Sequence, residues 1–156
     1  MFRLSKKTDY ALLALHYLAR EGASGAVSAR SIAEHFNIPL ELLAKILQHL
    51  VRHGVIDAQK GAHGGYLLTR PPHAISLFDV MEAVEGPLTF TACSPRDERC
   101  EQFAACTVRD PLWRLRERIA DVLRAMTLAD MNQPVDTRAV PLLIGAQEPG
   151  TGTQVQ

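Results

Sequence analysis

Ser28-Ala29-Arg30-Ser31-Ile32-Ala33-Glu34-His35-Phe36-Asn37-Ile38-Pro39 runs into Leu40-Glu41-Leu42-Leu43-Ala44-Lys45-Ile46-Leu47-Gln48-His49-Leu50-Val51-Arg52-His53-Gly54, and these residues decide the fold. Ser28 is a good cap for a short helix, Ala29–Phe36, whose Ile32, Ala33 and Phe36 face inward. Asn37 ends that helix. Ile38-Pro39 opens the next, with the proline placed in its first turn. Leu43, Ile46, Leu47, Leu50 and Val51 then recur at helical spacing to about His53, and Gly54 is the stop. Two helices joined by so short a turn read as a helix-turn-helix.

Downstream, Val55–Lys60 reads as a strand, Gly61-Ala62-His63-Gly64-Gly65 as a tight turn and Tyr66–Thr69 as the returning strand. Upstream, Thr8 or Asp9 caps a first helix that runs to about Arg20 and carries Tyr10, Leu12, Leu13, Leu15, Tyr17 and Leu18. That apolar set is dense enough for one side to pack on a core while another meets a partner. The expected fold is mainly α with a small β-hairpin wing: a winged helix-turn-helix over residues 1–72. After Pro71-Pro72, Ser76 caps a helix over Leu77–Glu85, and Gly86-Pro87 ends it. Residues 88–109 read as a loop. Asp110-Pro111 opens a long C-terminal helix, Leu112–Ala129. Its apolar positions Leu112, Leu115, Ile119, Val122, Leu123 and Met126 need a covering surface, and a second subunit is the natural one. Residues 73–131 form this second unit. Residues 132–156, rich in Pro, Gly, Thr and Gln, read as a flexible tail with Val140–Ile144 as a short docking segment.

The chain has 156 residues, 47% of them apolar, and 17 Lys+Arg balance 17 Asp+Glu. The balance excludes a histone-like polycation but conceals an asymmetry. Residues 1–72 hold nine Lys/Arg against five Asp/Glu, and residues 73–156 hold eight against twelve. A basic front and an acidic back imply that the front alone meets an anionic partner. No apolar run is long enough for a transmembrane helix, and no signal-peptide stretch opens the chain, so a cytoplasmic protein that does not engage membranes is expected.

In a helix-turn-helix the second helix enters the major groove. Opposite its buried stripe lie Glu41, Leu42, Lys45, Gln48, His49 and Arg52. Lys45 and Gln48 can donate to base acceptors, and Glu41 can accept from a cytosine amino group. His49 and Arg52 suit phosphates. Lys60 and His63 sit on the glycine-rich wing turn, and Arg3, Lys6 and Lys7 form a second basic cluster for the DNA backbone. Gly61, Gly64 and Gly65 lack the Lys-Ser/Thr continuation of a P-loop.

The three cysteines, Cys93, Cys100 and Cys106, fall in one 14-residue window. An odd number in a reducing compartment argues against a disulfide framework. The spacing is too wide for a zinc knuckle or a Cys-x-x-Cys pair. Three thiolates in one loop can still converge on an iron–sulfur cluster or on zinc, or remain free, oxidant-sensitive thiols. A fourth ligand within the window would have to be a carboxylate: Asp97, Glu98, Glu101 or the flanking Asp110. No hydrolase constellation accompanies them, so an enzyme is not expected.

Leu4-Ser5-x-x-Thr8-Asp9-Tyr10-Ala11, Ile32-Ala33 and Lys60-Gly61-x-x-Gly64-Gly65-Tyr66-x-Leu68, joined by Ile75–Glu85, the three cysteines and Trp113, resemble the IscR/NsrR/RirA-type bacterial winged-helix regulators over about residues 1–131. The resemblance implies a homodimer on palindromic promoter DNA, with affinity set by an iron–sulfur cluster on Cys93, Cys100 and Cys106. It implies control of iron–sulfur assembly, of iron and redox homeostasis, or, alternatively, of nitric-oxide defence. IscR-like members complete a [2Fe–2S] cluster with a His three residues after the last Cys, where this chain has Arg109. NsrR-like members complete a [4Fe–4S] cluster with a carboxylate from the partner's first helix, which corresponds to Asp9. The resemblance therefore favours [4Fe–4S] over [2Fe–2S], with Asp9 either fourth ligand or plain helix cap, and His16 a lesser candidate. The first cysteine spacing is one residue longer than the family's. Outside this class, the remaining alternative is a cluster-free or zinc-bound interaction module.

Overall fold

The computed structural model describes residues 4–61, 64–89, 101 and 105–132. Five α-helices and one antiparallel hairpin occur among them: α1 Lys6–Glu21, α2 Ala29–Phe36, α3 Leu40–Arg52, β1 Ile56–Gln59, β2 Gly65–Leu68, α4 Leu77–Glu85 and α5 Arg109–Ala125. No helix among the described residues is long and apolar enough to cross a membrane. The expected tail lies outside the described residues from 133 onward.

The helix-turn-helix forms as its caps dictate. The Ser28 hydroxyl accepts from the Ser31 N–H at 3.0 Å, which occupies one of the amides left without a partner at the start of α2. Asn37 takes the left-handed conformation, φ 52°, and the Ile38 N–H returns to the Ala33 carbonyl at 2.9 Å. This closes α2 and redirects the chain within two residues. Pro39 sits one position before α3 rather than inside its first turn. Leu43, Ile46, Leu47 and Leu50 are then buried together with Leu15 and Leu18 of α1, Ile32 of α2 and Val80 of α4. Each such side chain contributes about 1.5–3 kcal/mol relative to exposure.

The wing pairs Ile56 with Leu68 and Gln59 with Gly65. The first strand is one residue shorter at each end than the expected Val55–Lys60, and the second keeps its expected length but starts and ends one residue earlier, at Gly65 and Leu68. A third segment joins them: Val27 and Tyr66 exchange backbone hydrogen bonds at 3.0 and 2.8 Å. That contact explains Gly65, where a Cβ would stand 2.5 Å from the Val27 carbonyl. Thr69 stitches the root of the wing by donating its hydroxyl to the Gly54 and Val55 carbonyls at 2.6 and 3.0 Å.

Helix α1 begins earlier than expected. Ser5, not Thr8 or Asp9, is the cap, accepting from the Lys7 and Thr8 amides at 3.1 and 3.4 Å. Thr8 is fully buried and donates its hydroxyl to Glu85 Oε1 at 2.7 Å, and the Ser5 hydroxyl donates to the same oxygen. The C-terminal end of α4 is thereby tied to the N-terminal end of α1. Helix α4 carries a capping box, Ser76 with Asp79, and Arg70 reinforces it by pairing with Asp79 at 3.1 Å.

Helix α5 also departs from expectation at both ends, starting at Arg109 and stopping at Ala125 rather than at 129. Met126 turns extended because the chain pairs with the residues before α4. The Leu77 N–H donates to the Met126 carbonyl at 2.8 Å, and the Leu128 N–H to the Ile75 carbonyl at 3.0 Å. Leu128 then enters the common core. Helix α5 packs on α4, Ala120 is fully buried, and the Arg124 guanidinium lies 4.4 Å from the Phe78 ring centre.

Hydrogen bonds from Ser5 and then Thr8 hold the Glu85 carboxyl below its ordinary range. A carboxylate so depressed stabilises the fold above its ordinary value and loses that contribution as pH falls through its folded value. Glu85→Ala leaves the buried Thr8 hydroxyl without an acceptor and should cost about 1–3 kcal/mol in a denaturant melt. Glu85→Gln should flatten the acid side of the stability–pH profile; an unchanged profile would remove the tie.

Candidate nucleic-acid interface and thiol site

Burial of the apolar stripe of α3 leaves Glu41, Lys45, Gln48, His49 and Arg52 exposed. Successive residues turn by about 100°, so Glu41, Lys45, Gln48 and Arg52 share one line along the helix, opposite Leu43, Ile46, Leu47 and Leu50. Leu42 is half-buried and packs against the core, off that line. Leu40, on the same turn, is the exposed leucine, a position the sequence pattern did not single out. Glu41 lies in the first turn of α3 and Arg52 in the last, which matches the helix dipole at both ends. The His53 ring makes a 2.9 Å contact through Nδ1 with the His49 carbonyl and finishes the helix.

Lys60 is exposed at the end of β1, followed by Gly61 at φ 115°, a conformation suited to glycine. Lys6 and Lys7 are exposed on the first turn of α1, with the Lys6 ammonium 6.0 Å from the Tyr10 ring centre. Arg3 and His63 lie outside the described residues. The polar line of α3 and the wing lysine are rich in donors and carry a single carboxylate, Glu41. Such a surface can meet phosphates and base edges but holds no nucleophile–base pair for covalent chemistry.

Of the four sequence-derived cluster ligands, Cys93 and Cys100 lie outside the described residues. Cys106 is a free, half-buried thiol three residues before α5. Asp9 is half-buried on the first turn of α1. With Ser5 serving as the cap, Asp9 is not used for that purpose. Arg109 pairs with Asp110 at 2.8 Å. Among the described residues no group of three or more His, Cys, Asp or Glu is positioned to hold a metal within one chain. Three thiolates have the soft-donor chemistry of an iron–sulfur cluster, and a carboxylate would complete the set as a harder oxygen donor. The start of the cysteine segment is anchored to α5, where Arg116 Nε donates to the Leu88 carbonyl at 2.7 Å and stacks 4.9 Å from the Trp113 ring centre.

The long helix presents an apolar line. Val108, Leu115 and Val122 are 60%, 47% and 61% exposed, and Met126 just beyond the helix is 43% exposed. With half-buried Leu112 and Ile119 they alternate by four and three residues: 108, 112, 115, 119, 122, 126. That is an a/d heptad pattern. Leu123 instead packs toward the core. Val108 was missed in the sequence because it precedes the Asp110-Pro111 start signal, although its seven-residue spacing to Leu115 marks it.

The model of the Rrf2 family, described as iron-dependent transcriptional regulators, matches residues 4–134. The regulator IscR of Erwinia tasmaniensis is 34% identical over 130 residues, covering 83% of this chain and 78% of that protein. Among solved structures, CymR, the global cysteine regulator of Bacillus subtilis, superposes with a TM-score of 0.65 at 30% identity, covering 84% of this chain and 96% of that one. The IscR of T. potens superposes with a TM-score of 0.63, also at 30% identity, covering 83% and 85%. A helix-turn-helix, a β-hairpin wing and a long flanking helix, matched over nearly all the described residues, identify the chain as a member of the Rrf2 family: a DNA-binding transcriptional regulator and not an enzyme.

Proposed function

We propose that this regulator works as a homodimer on palindromic promoter DNA and that an iron–sulfur cluster on Cys93, Cys100 and Cys106 sets its affinity. The observation that carries the reading is the position of Cys106, a free half-buried thiol between the cysteine segment and the first turn of α5. Asp9 of the partner subunit is the proposed fourth ligand, favouring [4Fe–4S], and its release from capping supports that role. When bound, a cluster supplies a centre that reacts with oxidants and nitric oxide. The chain's own residues do the rest. Arg116 holds the start of the cysteine segment to α5, and Glu85 holds the end of α4 to the turn of α1 that carries Asp9. A cluster held between these two ties would therefore bear on the spacing of the two reading helices. That spacing must match half-sites about one helical turn, ~34 Å, apart. The regulated genes would serve iron–sulfur assembly or iron and redox homeostasis, or nitric-oxide defence if that is the signal.

A second reading, favoured by the likeness to a cysteine regulator and by the free Cys106, makes the thiols themselves the sensor. Protein purified without oxygen should carry about four iron and four acid-labile sulfide per subunit under the first reading. Cys106→Ala should then lose the visible absorption and the redox dependence of promoter binding. A protein that stays colourless after anaerobic reconstitution, yet binds DNA differently when oxidised, would establish the second.

Two further outcomes follow from the DNA and dimer assignments. Lys45→Ala should cost about 1–3 kcal/mol of discrimination between a selected operator and scrambled duplex, read by competition binding. Val122→Glu places a charge in the apolar line of α5. The variant should run as a folded monomer in light scattering and bind a palindrome about a hundredfold more weakly, because the second half-site no longer adds avidity.

A further inference from the structure

We infer that Leu40 reads the 5-methyl group of a thymine in each operator half-site. The inference rests on the DNA-binding reading of α3 and adds a determinant of sequence choice to it. Leu40 is the first residue of the reading helix and 41% exposed, whereas Leu43 is buried and Leu42 packs against the core. An exposed leucine is ordinary in itself. The distinguishing feature is its company. It adjoins Glu41 and lies one turn before Ala44, beside the polar line of Glu41, Lys45 and Gln48. The other exposed large apolar residues gather mainly on and around α5, not here. N-terminal residues of a reading helix are those that reach base edges. In the major groove every edge offers donors or acceptors except one apolar group, the thymine methyl. A leucine there gains nothing from the other three bases and can exclude water against the fourth. With Glu41 accepting from a cytosine amino group on the next position of the helix, the half-site should carry a thymine and a cytosine in neighbouring base pairs.

The test starts from a duplex selected out of a random pool by the full-length wild-type protein. Each thymine is then replaced singly by deoxyuridine, which lacks only the methyl group. Wild-type binding should weaken by about fourfold at one thymine per half-site, the worth of one buried methyl-sized group, and change little elsewhere. Leu40→Ala should bind the thymine and deoxyuridine duplexes equally while retaining the wild-type melting curve. Lys45→Ala, the control, should keep the sensitivity to deoxyuridine. If no thymine shows the effect, or if Leu40→Ala remains as sensitive as wild type, the assignment is wrong. A Leu40→Ala change in oligomeric state with unaltered deoxyuridine sensitivity would place Leu40 against a second copy instead. Failure of the wild-type protein to enrich any duplex would refute the DNA-binding reading separately, and this inference with it.

Discussion

Helix α3 has one way to bury Leu43, Ile46, Leu47 and Leu50 together, and the use of this protein depends on that restriction. The four side chains occupy little more than a quarter of the helix circumference. Once they face the core of α1, α2 and α4, the rotation of α3 is set, and Glu41, Lys45, Gln48 and Arg52 are directed to solvent as a row. A slip of one residue would turn each of them by about 100° and bring charge toward the core. The left-handed Asn37 before the helix and Gly54 after it confine its ends, so rotation and length are both specified locally.

The helix-turn-helix was legible because its signals are local. Ser28, Asn37 and Gly54 are punctuation, and the apolar spacing between them has a helical period. The elements that deviated are those in which a distant partner decides. Thr8 resembles a cap in the sequence, but its hydroxyl is used by Glu85, seventy-seven residues away, and Ser5 takes the capping role. Helix α5 loses its expected last turn because residues 126–128 pair with residues 75–77, a contact no local pattern encodes. Gly65 reads as a turn residue, yet its reason is the Val27 backbone lying against it.

The candidate site divides along the same line. The exposed row of α3 follows from periodicity, although periodicity could not tell that Leu42 would be drawn inward and Leu40 left out, since both flank the buried stripe at similar angles. Local packing against the neighbouring helices decides between them. The cysteine reading rests on resemblance and donor chemistry, and two of its three thiols lie outside the described residues. What the structure adds there is the immediate frame of Cys106 and Asp9: a thiol at the foot of α5 and a carboxylate relieved of capping.

The backbone bridge between residues 75–77 and 126–128 has a mechanical consequence. Helix α5, about 25 Å long at 1.5 Å per residue, is not a stalk on a hinge. It is riveted just past its C-terminal end by two amide–carbonyl bonds, and near that end Leu123 packs against the core. Whatever grips the exposed apolar line of α5 is therefore joined, through α4, to the helix-turn-helix as well. The path from that line to α3 runs through two packed joints, α5 on α4 and α4 on α3, like the fixed joints between the jaws and beam of a caliper.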